Sequence, residues 1–254
     1  MEGVAIINGV RQALSQASIP VTDPGFTLGW AVFETLVSSG GVPDNLPDHL
    51  YRLQHSCEEA SVPMPDIGVL EREVHLAART LGARARIRIT VSASGTRVIV
   101  ATHLDLERKH RPVTAARGIY REDPYLSGVV KHTSRASWMA AVTRAGVDEV
   151  LLVDGKGRFV EGTTSGILAV IGGVLFTHPQ DGRILESTTV RRLLDRAEAL
   201  GIEVRLQAPP AAGPWDGLYI ASVSRQLAPV TLLDGERLSG WEPVGRRLAG
   251  LPGR

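Results

Sequence analysis

Between Arg86 and Val91 the chain alternates strictly between polar and apolar side chains, and no other stretch constrains the fold as much. Every second residue is isoleucine or valine, and arginine or threonine stands between them. This period of two predicts a strand with one buried face and one solvated face. Ser94-Gly95 predicts a turn, and Val98 and Val100 continue the alternation beyond it. The first half of the chain therefore contains an antiparallel sheet.

Two further signals predict a hairpin and a helix in the first half. Asn8-Gly9 lies between apolar residues and is the dipeptide typical of a tight hairpin turn. From Pro47 to Val62 apolar residues recur at helical spacing; Pro47 suits the first turn of a helix, and Pro63 suits its end. The first half thus mixes strands with helices.

The second half predicts a meander of short strands followed by a helix. The strands are expected at Val150–Val153, Phe159–Gly162, Ile167–Ile171 and Val174–Thr177. Glycines and small hydroxyl residues form the turns between them. The helix is expected from about Thr189 to Leu200, with Gly201 as its C-cap.

The periodic pattern fades between residues 104 and 121, where we expect a domain junction. Residues 106–112 are mostly charged and end in proline, so a solvated loop explains them better than a binding role. We expect a first domain at 1–115, a linker at 116–125 and a second domain at 126–254.

Composition and missing motifs remove several classes of function. A net charge of +1 argues against a general nucleic-acid binder. The single cysteine, Cys57, allows no internal disulfide and no cysteine pair for zinc, so we expect no metal. The glycine-rich nucleotide loops, the H-E-x-x-H helix and the G-x-S-x-G elbow are all missing from the sequence.

The sequence also favours a cytoplasmic protein without a membrane partner. The longest apolar stretch, 167–176, is too short to span a membrane, and two glycines interrupt it. The start, Met1-Glu2-Gly3, lacks the basic region of a signal peptide. A lone cysteine does not indicate an oxidising compartment.

Lys131 is the first candidate for chemistry. It follows the apolar pair Val129-Val130 and precedes an expected helix through Trp138 and Val142. A lysine held there is partly buried, and burial lowers its pKa and prepares the amine to form a Schiff base with a carbonyl. Taken alone, a lysine that reaches out to solvent is the more common explanation.

Three other segments carry polar groups at the ends of apolar elements. Glu161 ends a strand beside a run of hydroxyl residues, where its carboxylate could face a ring nitrogen or simply water. Thr188-Thr189 opens a helix, where unpaired N–H groups can bind phosphate or be capped in the usual way. Arg52 could grip a phosphate or lie on the surface of its helix.

In this order and spacing, the segments resemble the class IV aminotransferases, which are fold type IV pyridoxal-phosphate enzymes. That family includes branched-chain and D-amino acid aminotransferases, R-selective amine transaminases and 4-amino-4-deoxychorismate lyase. The resemblance covers almost the whole chain. It begins at the Asn8-Gly9 hairpin and at Asp23–Thr35, which ends in F-E-T, and it continues to Ser222–Val230, which ends in Pro-Val. Between them lie the H-L-x-R-L helix, the lysine, the E-G-x-x-S turn and the phosphate turn.

The resemblance implies an α+β fold, with a small N-terminal α/β domain and a larger, β-rich, pseudo-barrel C-terminal domain. It implies pyridoxal 5′-phosphate between the two domains, and a homodimer. By resemblance, Lys131 carries the Schiff base and Glu161 pairs with the pyridine nitrogen. The residues expected to hold the phosphate are Arg52, Thr188, Thr189 and Ser224. The residues expected near the substrate are Arg135, Trp30 and Thr164.

The phosphate turn departs from the family pattern L-P-G-x-T-R. Here Glu186 and Ser187 follow the leucine, and Val190 stands where the arginine is usual, with Arg191 one place later. A carboxylate near a phosphate is unfavourable unless it points away. The segment that ends in F-E-T usually has an acidic residue where Trp30 or its neighbour stands here, which predicts a bulkier and more apolar pocket.

Three functions follow from these observations. The first is transfer of an amino group from an amino acid or amine to a keto acid. The second is 4-amino-4-deoxychorismate lyase activity, because the run Lys131-His132-x-Ser134-Arg135 resembles the K-H-x-N-R of that enzyme. The third is a relative that binds the cofactor or a metabolite without catalysis, which the changes at Glu186 and Val190 keep open. We favour transamination because it is the more common activity in the family.

Overall fold

The computed structural model describes residues 3–252. Four residues lie outside the described range. Met1 and Glu2 belong to the start that lacks a signal-peptide pattern, and Gly253 and Arg254 end the expected second domain. The helices are α1 (Pro24–Thr27), α2 (Leu46–Glu59), α3 (Ile67–Leu81), α4 (Ala136–Ala145), α5 (Thr188–Ala199) and α6 (Pro243–Ala249). The strands of the first sheet are β1 (Gly3–Ile7), β2 (Val10–Ala13), β3 (Ala31–Ser39), β4 (Val42–Pro43), β5 (Ala85–Ser92) and β6 (Arg97–His103). Those of the second are β7 (Val113–Ile119), β8 (Glu149–Val153), β9 (Phe159–Gly162), β10 (Gly166–Ile171), β11 (Val174–Thr177), β12 (Val204–Leu206), β13 (Gly217–Ser222), β14 (Gln226–Leu233) and β15 (Glu236–Arg237).

The first sheet is antiparallel throughout, as the alternation in β5 predicts. Its order is β2-β1-β6-β5-β3-β4. Ile87, Ile89 and Val91 of β5 are fully buried, and the turn to β6 lies where Ser94-Gly95 predicts it. Asn8 and Gly9 connect β1 to β2 with positive φ angles of 49° and 88°, so the predicted hairpin is confirmed.

Two helices cover one face of this sheet. Helix α2 matches the helix predicted from Pro47 to Val62, and Leu50, Leu53 and Cys57 are buried on its inner side. Helix α3 has no counterpart among the sequence predictions. Asp66 caps its start by accepting a hydrogen bond from the N–H of Val69, and Gly82 follows its end.

The second sheet is mixed, because parallel ladders join β7 to β8 and to β14. Its order is β12-β11-β10-β13-β14-β7-β8-β9, and β15 pairs with β14 outside this order. The four strands predicted in this half all exist, and β8 with β9 and β10 with β11 form hairpins. The predicted continuous meander is wrong, since β13, β14 and β7 lie between the two hairpins in the sheet order. Strand β7 comes from the stretch where the sequence pattern fades.

Helices α4 and α5 match their predictions. Helix α4 contains Trp138 and Val142 and follows Lys131 by a few residues. Helix α5 is capped by Ser187, whose hydroxyl accepts a hydrogen bond from the N–H of Val190. Gly201 lies just beyond its end with a φ of 64°, the left-handed conformation expected of a residue there. The apolar pair Val129-Val130 before Lys131 lies in a turn, which the N–H of Val130 closes onto the carbonyl of Ser127 at 3.1 Å.

The chain divides into two compact units. The first contains the residues up to Asp105 and the returning segment Pro124–Arg135, and the second contains Leu106–Asp123 and the residues from Ala136 onward. These bounds differ from the expected domains at 1–115 and 126–254 with a linker at 116–125. Strand β7 pairs with strands of the second unit, and residues 131–133 pair with β3 of the first. Among the described helices, none is long and apolar enough to cross a membrane.

Candidate active site

Lys131 is attached to the first unit through both of its backbone polar groups. Its carbonyl accepts the N–H of Phe33 on β3 at 2.8 Å, and its own N–H donates to the Ser56 hydroxyl on α2 at 3.1 Å. His132 forms a bridge with Val32, and the N–H of Thr133 donates to the carbonyl of Ala31 at 2.9 Å. Residues 131–133 therefore extend the sheet along an edge of β3 that β5 does not occupy.

The Lys131 side chain belongs to a group of cations around one aromatic ring. Its Nζ lies 5.1 Å from the centroid of the Phe33 ring, and the guanidinium carbon of Arg135 lies 5.3 Å from it. Arg88 stacks directly on the ring, with its guanidinium carbon 3.7 Å from the centroid. We call Arg88, Lys131 and Arg135 the basic cluster. Cations over an aromatic face gain attraction from the ring electrons.

Arg88 is a half-buried cation of this cluster. Burial, together with the nearby charges of Arg86 and Arg135, lowers the pKa of its guanidinium to about 10. Its Nε donates to the Thr90 hydroxyl at 3.3 Å, and among the described residues no carboxylate pairs with it. A half-buried arginine without an anion is costly for the fold, and such groups are found where an anionic ligand binds.

Arg52 lies on the buried face of α2 and binds Glu34 of β3. Its Nε donates to Oε1 of Glu34 at 2.6 Å and its Nη2 donates to Oε2 at 2.7 Å. His49 Nδ1 lies 2.8 Å from the same Oε2. Burial alone would raise the pKa of the Glu34 carboxyl, but Arg52, His49 and Lys131 outweigh it and lower that pKa to about 2. Glu34 is fully buried and ionised, and it fixes the orientation of the arginine predicted to hold phosphate.

Trp30 precedes β3 and remains 46% exposed. Its indole N–H donates to the carbonyl of Ala60 at the end of α2, at 2.8 Å. The ring is thus held at one end and open to solvent over much of its surface.

In the second unit, Glu149 of β8 organises the hydroxyl residues that follow Glu161. Its carboxylate accepts hydrogen bonds from the Thr163 and Ser165 hydroxyls and from both the N–H and the hydroxyl of Thr164, the last at 2.6 Å. Glu149 is 1% exposed. Thr164, predicted near the substrate, therefore has its hydroxyl engaged by a buried carboxylate, although the residue itself is exposed.

Glu161 lies at the end of β9 in a half-buried position. Its Oε2 accepts the N–H of Leu185 at 3.4 Å, so the strand end is linked to the turn that precedes α5. The start of β10, which follows this strand end, packs closely against α5, because a Cβ on Gly166 would lie 2.6 Å from the Val190 side chain. The start of β10 can approach α5 only with glycine at this position.

The start of α5 presents Thr188 and Thr189, which are both more than nine-tenths buried. Helix geometry leaves the first N–H groups without an intrahelical partner, and among the described residues no acceptor is found for the N–H of either threonine. Glu186 is exposed and turns toward Arg191, whose Nη1 lies 3.2 Å from its carboxylate. Val190 packs in the apolar core. Of the two departures from the family pattern, Glu186 thus forms a surface ion pair and Val190 packs in the core. In the described part of the chain, neither residue blocks the N–H groups at the start of α5.

Ser224 lies in the turn between β13 and β14. The end of β13 pairs with the start of β10, with Ala221 opposite Gly166. This register brings the Ser224 turn to the same end of the sheet as the 163–165 turn and the start of α5. Gln226 closes the turn with a φ of 56° and donates from its side chain to the carbonyl of Val223 at 2.9 Å.

The structure thus assembles the predicted residues in two groups. The first unit holds Lys131, Arg135, Arg52 and Trp30, and the second holds Glu161, Thr164, Thr188, Thr189 and Ser224. Sequence reasoning gave no role to Glu34, His49, Ser56, Arg88 and Glu149. A glutamate in the otherwise apolar start of β3 was a usable signal for Glu34, whereas Arg88 looked like a solvent-facing position of an alternating strand. Among the described residues, no group of histidine, cysteine and acidic side chains is placed to hold a metal ion.

Comparison with known proteins shows the family of the chain. Residues 31–233 match the family model described as Amino-transferase class IV. The chain is 28% identical over 258 residues to a putative branched-chain-amino-acid aminotransferase of Methanocaldococcus jannaschii, covering 90% of this chain and 87% of that protein. It is 23% identical over 266 residues to a D-alanine aminotransferase of Bacillus licheniformis, covering 94% and 91%.

The fold is likewise found among solved structures. A hypothetical aminotransferase from Mycobacterium tuberculosis in its PLP-bound form aligns with a TM-score of 0.89 at 23% identity, covering 98% of this chain and 96% of that one. A second structure of that protein contains alpha-ketoglutarate and PMP, and it also aligns with a TM-score of 0.89, at 24% identity over 97% and 96% of the chains. These likenesses confirm the predicted α+β fold of fold type IV.

Proposed function

Because this chain belongs to the class IV aminotransferases, we propose that it is a pyridoxal 5′-phosphate-dependent aminotransferase that carries the cofactor as a Schiff base on Lys131. Its substrates are an amino acid or amine as donor and a keto acid as acceptor. The observation that carries the proposal is the placement of Lys131, whose backbone is held at both polar groups while its amine lies in the basic cluster.

The polar groups of the chain fit this cofactor part by part. Lys131 supplies an amine for an aldehyde. Glu161 supplies a carboxylate for a ring nitrogen. The start of α5 supplies uncompensated N–H groups and two threonine hydroxyls for a phosphate, and its dipole favours the negative charge. Arg52 and Ser224 are assigned to the same phosphate on the family pattern.

When bound, pyridoxal phosphate supplies an aldehyde that bonds to amines and a ring that accepts the electrons left when the donor loses its Cα proton. Lys131 Nζ acts as the general base that accepts this proton. With the cofactor bound, the same amine would deliver that proton to the carbon that accepts it. The Glu161 carboxylate would hold a proton on the ring nitrogen, which would strengthen the ring as an electron acceptor.

The basic cluster supports substrates that carry carboxylates. Arg88 and Arg135 place two guanidinium groups around Phe33, and a guanidinium binds a carboxylate through paired hydrogen bonds. A structure of the Mycobacterium tuberculosis protein contains alpha-ketoglutarate. Alpha-ketoglutarate is therefore the first acceptor to test, and amino acids are preferred over simple amines as donors.

We also propose that the enzyme is a homodimer. Val21, Phe26 and Leu28 are between 69% and 76% exposed and lie within eight residues of each other before β3. Exposed apolar side chains that are so close in the chain are typical of protein interfaces. A second copy of the chain is the occupant that the family resemblance implies.

Two measurements test the proposed function. Borohydride reduction of the loaded protein, followed by peptide mapping, should attach a pyridoxyl group to Lys131; the sequence has only two other lysines, Lys109 and Lys156. Amino donor alone should then convert the loaded enzyme to its pyridoxamine form and release one equivalent of keto acid. A protein that gains no adduct on Lys131 contradicts the proposal.

The lyase alternative has its own outcome in this assay. Turnover of 4-amino-4-deoxychorismate to aminobenzoate and pyruvate, without conversion to the pyridoxamine form, would assign the chain to that branch of the family. The Lys131–Arg135 run that resembles the lyase is the feature that makes this control necessary.

A further inference from the structure

Ser56 contacts the segment around Lys131 from inside the core. Its side chain is completely buried, on the face of α2 that also carries His49 and Arg52. Its hydroxyl accepts the backbone N–H of Lys131 at 3.1 Å. A serine in a helix more commonly bonds to its own helix backbone or to water. Here the helix uses the hydroxyl to hold another part of the chain.

Helix α2 is connected to two residues that the proposed function assigns to the cofactor: it carries Arg52, and it binds Lys131 through Ser56. Arg52 lies one helical turn before Ser56, and both oxygens of Glu34 fix its guanidinium. One turn of α2 separates Arg52 from Ser56, so the Ser56 hydroxyl links the Lys131 backbone to the part of the helix that carries Arg52. Resting on the proposed function, we infer that Ser56 is a positioning residue, which sets where the Lys131 amine lies relative to the phosphate grip of Arg52.

The need for such a residue follows from the chain before Lys131. Residues 120–131 contain no helix or strand. The carbonyl of Lys131 accepts the N–H of Phe33, and this bond does not by itself fix the peptide group that carries the N–H of Lys131. The Ser56 hydroxyl adds a second attachment at the N–H. Displacement of a catalytic group by about 1 Å can reduce the rate by about a hundredfold.

The test compares Ser56→Ala and Ser56→Cys with Ser38→Ala. Cysteine preserves the shape of the serine but is a weak acceptor, so it serves if the alanine variant folds poorly. Ser38 is the matched control, because it is 1% exposed and its hydroxyl has no hydrogen-bond partner among the described residues. Both serines lie in the first unit.

Two readouts separate positioning from a purely structural role. The first is amide hydrogen exchange at Lys131 in the cofactor-free protein. The second is the behaviour of the loaded protein. It comprises the pH at which the Schiff-base absorbance changes and the effects of each substitution on kcat and on KM, measured separately.

We expect Ser56→Ala and Ser56→Cys to accelerate exchange at Lys131 on the order of fivefold, the effect of one net hydrogen bond. The same variants should shift the absorbance transition and lower kcat more than they raise KM. Ser38→Ala should match the wild type in all of these measurements.

The outcomes are distinct. Unchanged exchange at Lys131 in both Ser56 variants overturns the inference. Faster exchange with an unchanged absorbance transition and kcat assigns Ser56 a structural role only, and it also overturns the inference. Failure of the proposed function has a separate signature, since the wild type itself would then give no borohydride adduct on Lys131.

Discussion

Glu34 holds Arg52 through both oxygens of its carboxylate, with hydrogen bonds of 2.6 and 2.7 Å from Nε and Nη2. The pair is buried between β3 and α2, and His49 adds a third contact to the same carboxylate. In water such a pair contributes little, but in the core each charge depends on the other. Removing one partner leaves the other as an uncompensated buried charge.

The Glu34→Gln variant should be strongly destabilised. We expect a loss of about 3–5 kcal/mol in the free energy of unfolding, because the amide cannot neutralise Arg52. Urea unfolding of the cofactor-free protein measures it. Glu73→Gln is the control: Glu73 binds Arg97 with similar geometry, but Arg97 is 24% exposed and can be hydrated, so the loss should be smaller. Equal losses in both variants would contradict this account of the Glu34 pair.

The same carboxylate predicts a dependence of stability on pH. The pKa of Glu34 is lowered from 4.5 to about 2 in the folded protein. A lowered pKa means that the stabilisation is complete above the unfolded value and is lost as the pH falls through the folded value. Between pH 4.5 and 2 the wild type should therefore lose stability more steeply than Glu34→Gln. Parallel curves for the two proteins in acid titration would show that Glu34 does not carry this dependence.

Lys131→Arg should abolish transamination while it preserves the charge of the basic cluster. Loss of the general base alone predicts a fall in kcat of about 10²–10⁴-fold, and loss of the Schiff base adds to it. Peptide mapping after borohydride reduction should find no pyridoxyl group in the variant. Lys156→Arg, in an exposed turn, should retain both the adduct and the activity.

Arg88→Met should raise KM for alpha-ketoglutarate and stabilise the fold. Loss of a charge-assisted hydrogen bond of about 1.5–3 kcal/mol corresponds to roughly 10- to 150-fold in KM. Since burial lowers the pKa of Arg88 and no carboxylate among the described residues pairs with it, its removal should also raise the melting temperature of the unliganded protein. A variant with unchanged KM and lower stability would show that Arg88 serves the fold and not the substrate.

Thr188→Val and Thr189→Val should weaken binding of pyridoxal 5′-phosphate more than binding of pyridoxal, which lacks the phosphate. Each hydroxyl that donates to phosphate contributes about 1.5–3 kcal/mol, because a hydrogen bond to a charged group is stronger than a neutral one. Titration of the cofactor-free variants with both compounds measures the difference. Equal losses for the two ligands would place the threonines away from the phosphate.

Phe26→Asp combined with Leu28→Asp should dissociate the proposed dimer. Both side chains are about 70% exposed, and burying a charge at an apolar interface costs several kcal/mol. Sedimentation velocity should then show the mass of a single chain. The control is Val42→Asp, since Val42 is 64% exposed on the short edge strand β4 and should leave the mass unchanged. A dimer that survives the double substitution has its interface elsewhere.

The local elements of this protein could be derived from the sequence. Alternation identified β5 because Ile87, Ile89 and Val91 face one core, and helical spacing identified α2 through Leu50, Leu53 and Cys57. The Asn8-Gly9 turn was local as well. Each of these features depends on which side of one element is buried or on a few neighbouring residues, and a single chain segment contains that information.

The order and spacing of the motifs also indicated the family, which the match over residues 31–233 shows. They named Lys131, Glu161 and Thr188 as candidates, and these roles stay predictions. What the motifs could not show was how those residues are held. Lys131 depends on Ser56 and Phe33, which lie about 75 and 98 residues away along the chain. No periodicity links positions so distant, because the pairing arises only when α2 and β3 pack.

Tertiary structure alone decided which charged side chains of the site are paired and which are not paired with a carboxylate among the described residues. Glu34 and Arg88 stand on opposite faces of one sheet, and by residue type either could have faced water. Packing of α2 buried Glu34 with Arg52, while Arg88 was left over Phe33 with two other cations. The energy of a charge depends on its solvation and on its neighbours, and both are set by segments brought together in the fold.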